Sequence, residues 1–255
     1  IGVTALDTSI IRRIDFLPPV SSVPLNEGLV LWNGLGSDFE IENSLVGPRG
    51  RRTGGRFVNG RFGQSLELTS FEKNALSFPI EILPSPSGCI EFWAKLSEFP
   101  ADLLPEERPT LISVINERGS CYFQLHLTGN DGSGNGGVCF RIPALGSAGT
   151  GPAGRWTYAR ALGSEYTDDW HHYGFVWNAN GIKDIADGTK KTAVFIDGKL
   201  NSHSWDFNPN STLETPKAGA IEFMSCSGLS AERVAFDNLK IWNYPKTTFA
   251  DRNTK

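Results

Sequence analysis

Seven side chains in this sequence have types suited to holding, or acting on, a sugar: Glu91, Trp93, Tyr122, Gln124, His126, Arg141 and His172. Aromatic rings stack on the apolar C–H faces of a pyranose, and amide, carboxylate and guanidinium groups take its hydroxyls. The same set could do acid–base work, with Glu91 paired to Tyr122, His126 or His172. A glycosidase needs two suitably separated carboxylates, and the set supplies only Glu91. A third reading needs no ligand: the N-terminal segment or loops cover these residues and turn them into a second, polar core.

Other constellations carry less. The run Asn130-Asp131-Gly132-Ser133-Gly134-Asn135-Gly136 spaces oxygen donors like a calcium loop, but Ile142 stands where an EF-hand places its Glu, so the run reads as a Gly-rich turn. His171 and His172 are neighbours in an extended stretch and point to opposite faces, so they cannot chelate one ion together. Residues 149–154 match G-x-G-x-x-G in letters only, with no following helix. Asn210-Ser211-Thr212 is a glycosylation sequon, meaningful only in a eukaryotic chain. The cysteines are Cys89, Cys121, Cys139 and Cys226, and no C-x-x-C pair exists. Cys121 shares strand parity with apolar Phe123 and Leu125, whereas Cys139 opposes Val138 and Phe140. A simple Cys121–Cys139 bridge is therefore disfavoured, and buried free thiols are the plainer expectation.

The elements that must position these groups are strands. Short apolar runs alternate with turn clusters from Gly28 onward. They predict strands over residues 29–32, 57–58, 65–68, 75–78, 88–96, 110–116, 121–127, 137–142, 171–177, 192–196, 218–224 and 233–242. Asp197-Gly198 is a hairpin-turn signal, since both positions tolerate positive φ. Short helices are expected at most near 103–108 or 246–252. Two Gly-rich inserts, 129–137 and 146–154, read as long loops. Residues 1–27 include Pro18-Pro19 and read as an extended arm or linker from an upstream domain.

Composition agrees: 255 residues with 28 Gly, 15 Pro and 16 Phe suit a large β-domain. The net charge of −4 gives no nucleic-acid footprint. The cluster Arg49, Arg51, Arg52, Arg56 and Arg61 reads as a solvated loop. No apolar run is long enough to span a bilayer. The opening at Ile1 is taken as a weak sign of processing and export.

In order along the chain, several segments resemble laminin-G-like jelly-roll modules of surface and polysaccharide-associated proteins. They are Gly28-Leu29-Val30-Leu31-Trp32, residues 60–68, residues 88–95, Trp170-His171-His172-Tyr173, Val194-Phe195-Ile196-Asp197-Gly198 and Phe236-Asp237-Asn238-Leu239. The resemblance covers residues 28–248, leaving 249–255 as a C-terminal tail. It implies an all-β, two-sheet antiparallel jelly-roll sandwich of the concanavalin A-like lectin/glucanase type.

It further implies that Glu91, Trp93, Tyr122, Gln124, His126, Arg141 and His172 gather on one concave sheet. It implies one Ca2+ held near the sheet ends by Asp237, matching the closing-strand Asp, and by Asp38. The function expected is a non-catalytic recognition module of a secreted or cell-surface protein, binding a glycan or protein partner. Two alternatives stand beside it. One is a lyase-type polysaccharide enzyme in which His126, Tyr122 and Arg141 converge. The other is an envelope or appendage subunit with a flat apolar contact surface.

Overall fold

The computed structural model describes residues 27–69, 75–97, 110–115, 121–128, 137–145, 156–162, 169–203, 212–213, 219–224 and 233–255. Within those strands the side chains of 115, 121–123, 128, 141, 143–145, 156–162 and 212–213 are not described. The N-terminal arm, both Gly-rich inserts with the Asn130–Gly136 run, the 103–108 segment and Cys226 lie outside the described residues.

Two antiparallel sheets of eight strands each make a sandwich. The first runs β13 (Lys199–His203), β12 (Thr192–Ile196), β11 (His171–Asn178), β6 (Ser87–Leu96), β16 (Arg233–Trp242), β4 (Gly63–Thr69) and β3 (Arg56–Gly60). Its remaining strand, β1 (Leu29–Asn33), also pairs with β16. The second runs β10 (Trp156–Leu162), β9 (Gly137–Leu145), β8 (Cys121–Thr128), β7 (Thr110–Ile115), β15 (Ala220–Phe223), β5 (Ala75–Pro79) and β2 (Arg51–Thr53), with β14 (Thr212–Leu213) on β9. The expected all-β sandwich is therefore the architecture found.

Period-2 alternation builds the core, because successive strand side chains point to opposite faces. Ile90, Phe92 and Ala94 of β6 meet Phe175 and Trp177 of β11, with Ile112, Leu125, Phe140 and Phe223 from the other sheet. Phe92 is the hub. Its ring centroid lies 5.5 Å from Phe236 and 5.8 Å from Phe175 within its own sheet, and 6.5 Å from Phe223 across the core.

The strands β2, β10, β13 and β14 were not expected from the sequence, nor was the short helix α1 (Asp38–Glu42). Ser37 caps α1 by accepting the Glu40 amide. No helix forms over 246–252; that segment ends in a turn at 250–253.

The larger departure is the C-terminal segment. After β16 the chain folds back over the outer face of the first sheet. Phe249 is buried there with Cys89, Val176, Phe195 and Trp242, joined by Ile182 and Ile185 of the β11–β12 loop. The expected tail 249–255 thus closes a second apolar cluster. Gly174 makes room for it: a Cβ there would lie 2.5 Å from the Phe249 ring.

Candidate functional site

The expected single face does not exist. Glu91, Trp93 and His172 stand on β6 and β11 of the first sheet, while Tyr122, Gln124, His126 and Arg141 belong to β8 and β9 of the second. Strand parity put both groups on outward positions, but the outer faces belong to opposite sides of the sandwich. Parity says which way a side chain points and nothing about which sheet carries it.

The first group is also sealed. Glu91, Trp93 and His172 are 1%, 5% and 1% exposed. Glu91 Oε1 accepts from Lys246 Nζ at 2.8 Å and from Trp242 Nε1 at 2.7 Å, and Oε2 faces His172 Nε2 at 3.1 Å. Trp93 Nε1 donates to the Arg252 carbonyl at 2.9 Å. Asn238 Nδ2 and Lys240 Nζ both donate to the Thr254 carbonyl, at 2.9 and 3.0 Å. These side chains fasten the closing segment to the sheet. For this group the reading of a covered polar core is the one realised, with the C-terminal segment as a cover.

Electrostatics match that structural role. Burial alone would raise the Glu91 carboxyl. The hydrogen bond from His172 and the charge of Lys246 outweigh it and hold the group at about 2. Burial would lower Lys246, but Glu91 and Asp251 together push it above its ordinary value. Burial raises the Cys89 thiol well above its ordinary value, as expected of a structural cysteine. Cys89 and Cys139 are buried and form no disulfide, and the Cys121 side chain and Cys226 lie outside the described residues.

On the second sheet the register aligns Arg141, Gln124, Ser113, Glu222, Ser77 and Arg51 in one row across the strands. Its centre is not open: Ser113 is fully buried, and His126, one step along β8, is 3% exposed. A buried His126 is not placed to exchange a proton with a polysaccharide. The side chains of Tyr122 and Arg141 lie outside the described residues.

The two aspartates expected to hold calcium have separate commitments. Asp38 lies on the surface with Oδ1 2.6 Å from Arg52 Nε and Oδ2 2.9 Å from Arg52 Nη2. That hydrogen bonding keeps its carboxyl below the ordinary value. Asp237 is wholly buried in β16, and its Oδ2 accepts the Phe62 amide at 2.9 Å. Burial raises its carboxyl against that hydrogen bond, favouring the neutral form. A hard dication needs several ionised or carbonyl oxygens together. Among the described residues no three His, Cys, Asp or Glu side chains are grouped to hold an ion. Asp38 and Asp237 are engaged by different partners, Arg52 and the Phe62 amide.

What remains open on the first sheet lies beyond the edge of the closing segment, around Trp170. This half-buried residue sits just before β11, one position beyond the His171–Ala94 pair, which brings it beside Lys95 of β6. Two depressions share it. One, of about 270 Å³, is lined by Val58, Glu67, Lys95, Trp170, Arg233 and Ala235. The other, of about 280 Å³, is lined by Arg61, Trp93, Trp170, His171, Asp197 and Arg252. Glu67 is already paired with Arg56 at 2.6 Å, and His171 Nδ1 with Asp197 Oδ2 at 2.7 Å. Arg61 lies over the Trp93 ring, 4.8 Å from its centroid. Of the sequence-derived site residues only Trp93 borders this place. The available signal was the outward parity of Lys95 together with an aromatic residue at the mouth of a strand.

No family model matches the chain, and no curated protein matches it. Solved structures do match. The binding domain of Paraclostridial Mosquitocidal Protein 1 superposes with a TM-score of 0.57 at 16% identity, over 86% of this chain and 50% of that one. The receptor binding domain of the botulinum neurotoxin C/D mosaic serotype gives 0.60 at 14% identity, over 90% and 51%. A structure of botulinum neurotoxin type C, whose passage into cells is dependent upon interaction with two ganglioside molecules, gives 0.59 at 13%, over 89% and 50%. The likeness is one of fold. It places the chain among β-sandwiches found in toxin binding domains, a related sandwich rather than a laminin-G module specifically. The chain spans about half the length of these solved structures.

Proposed function

We propose that this chain is a non-catalytic recognition module of a secreted or cell-surface protein, and that it binds a glycan at the surface around Trp170. The observation that carries the reading is Trp170, half-buried and bordering two open depressions beside the part of the sheet that the chain's own C-terminus covers. An indole ring offers a stacking platform, and the flanking Arg, Lys, His and Asp groups offer hydrogen bonds to hydroxyls. Shallow sites of this kind suit binding more than chemistry, which needs converging groups and excluded water.

The matched structures support the reading by kind: they are binding domains, and one set is described with gangliosides. An extracellular setting agrees with that kinship. No helix among the described residues is long and apolar enough to cross a membrane. The acid–base alternative is weaker because His126 is buried. The assembly alternative has less support: among the described residues the exposed large apolar side chains are Phe39, Leu45, Leu200 and Tyr244.

The test is a glycan-array screen of the chain and of Trp170→Ala, each with and without EDTA. Binding by the parent chain, lost in the variant and indifferent to EDTA, is the expected result. Binding that survives Trp170→Ala would move the site elsewhere, and absence of binding on the array would remove the glycan reading.

A further inference from the structure

Among the described residues lining the two depressions, Lys95, Arg233, Arg61 and Arg252 stand with Glu67, Asp169 and Asp197, a positive excess in a chain that carries −4 overall. In the first depression Glu67 is neutralised by Arg56. Lys95 and Arg233 line the same hollow, are exposed, and have no acidic partner among the described residues. Across the Trp170 ring, Arg61 is likewise exposed and rests only on the face of Trp93. The acids on that side, Asp197 at His171 and the His172 amide and Asp169 at the Trp170 amide (2.7 Å), keep their charge and offset part of that excess.

The floor between these cations is small and flat. Ala235 is the outward residue of β16 there, between Glu67 on β4 and Lys95 on β6 in cross-strand register. A bulkier residue would fill the depression. The register itself sets Lys95 beside Trp170, so a ring stacked on the indole would bring its substituents to the ammonium.

From this we infer that the ligand of the Trp170 surface is an acidic glycan, its sugar ring on Trp170 and its carboxylate or sulfate groups on Lys95, Arg233 and Arg61. The inference rests on the glycan reading above and adds the charge of the ligand. Guanidinium groups meet carboxylate and sulfate oxygens with paired N–H donors, and an ammonium adds a point charge. The groups are exposed, so each contact is screened by salt and the attraction depends on several acting together.

The test uses matched oligosaccharide pairs: a sulfated heparin-type chain with its desulfated form, and a sialylated glycan with its asialo form. Affinities for the full chain are read at low and at high ionic strength. The acidic member of each pair should bind at least about tenfold tighter at low salt, with the advantage shrinking as salt rises. Lys95→Gln with Arg233→Gln should remove most of that preference, weakening the acidic member far more than the neutral one, and leave the melting temperature unchanged. Trp170→Ala should weaken both members of a pair.

Equal binding of acidic and neutral members would overturn the inference while leaving the glycan reading intact. A preference that survives the double variant would overturn the assignment to these cations. Comparable binding of a poly-glutamate peptide, unaffected by Trp170→Ala, would overturn the sugar part and leave a bare cationic patch. No binding by either member would overturn both readings.

Discussion

Lys246, on the closing segment, donates from Nζ to Oε1 of Glu91, on the central strand β6, at 2.8 Å, with side chains 5% and 1% exposed. The pair joins the last residues of the chain to the middle of the first sheet. Lys246 Nζ also lies 4.2 Å from the Trp242 ring centroid and bonds Asp251. Desolvating two charges is costly, and good geometry with further hydrogen bonds is what offsets it. Removing Lys246 leaves the Glu91 carboxylate buried without its counter-charge, held only by Trp242 and His172. Lys246→Met should therefore destabilise the fold by about 3–5 kcal/mol. Urea denaturation would measure it. The Lys246→Met, Glu91→Gln double variant should lose less than the sum of the singles; additive losses would show that the two residues are not coupled.

The same pair sets a pH dependence. The Glu91 carboxyl is held at about 2 in the fold, against an ordinary value of 4.5. A depressed carboxylate contributes stability that is present above its unfolded value and lost as pH falls through the folded one. Stability tied to Glu91 should thus decline between about pH 4.5 and about 2. Lys246 has the opposite sign. Its raised value contributes stability below its ordinary 10.5, lost as pH rises beyond that. Denaturation midpoints of the parent chain and of Glu91→Gln across the acid range isolate the first effect. Parallel curves for the two proteins would refute it.

Packing beneath the closing segment gives a third expectation. Phe249 sits on Gly174 and Phe195, its ring centroid 5.1 Å from that of Phe195. A methyl group added at Gly174 would overlap the Phe249 ring, and such overpacking costs about 1–3 kcal/mol. Phe249→Ala should cost about 3–5 kcal/mol by leaving a void. Phe249→Leu should cost less in the Gly174→Ala background than alone, since the smaller side chain relieves the overlap. Limited proteolysis gives an independent readout: both single variants should speed cleavage within residues 243–255.

Why so much of the fold was legible and so little of the site follows from what a strand pattern encodes. Alternation at Ile90, Phe92 and Ala94, or at Tyr173, Phe175 and Trp177, reports burial against a partner sheet directly, and those residues form the core. The same alternation marked Glu91, Trp93 and His172 as outward, which is correct for their sheet. It carries no information on what lies over that face. The cover comes from Lys246, Phe249 and Arg252, which follow the last strand in a stretch with no period of its own. Nor does parity tell the sheet of β6 from the sheet of β8, since that depends on strand order, a long-range property. Strands β2, β13 and β14 were missed because each is short or polar, and pairing rather than propensity holds them, whereas β10 is a seven-residue run that directly follows the Gly-rich insert. Trp170 was visible as part of the motif before β11, yet its value as a site depends on Ala235 and Lys95 arriving beside it from distant strands.

The turn after β12 shows a local signal with a long-range consequence. Asp197-Gly198 takes positive φ at both positions, 52° and 79°, as the hairpin reading expects. The structure adds a second duty for Asp197. Its Oδ1 accepts the His172 amide at 3.0 Å and its Oδ2 meets His171 Nδ1 at 2.7 Å, so one carboxylate ties the hairpin to the mouth of β11, beside Trp170. Asp197→Ala loses both contacts and puts a β-carbon without a compensating polar group into the left-handed region. A loss of about 1–3 kcal/mol is expected. Asp197→Asn keeps the backbone tolerance and one acceptor while discarding the charge, so it should recover most of the stability. The two variants separate backbone from charge. If Asn is as damaging as Ala, the carboxylate contact with His171 holds the turn. If Asn is benign for stability but weakens ligand binding, the carboxylate acts by orienting His171 at the edge of the Trp170 surface, and the turn geometry is secured by the backbone alone.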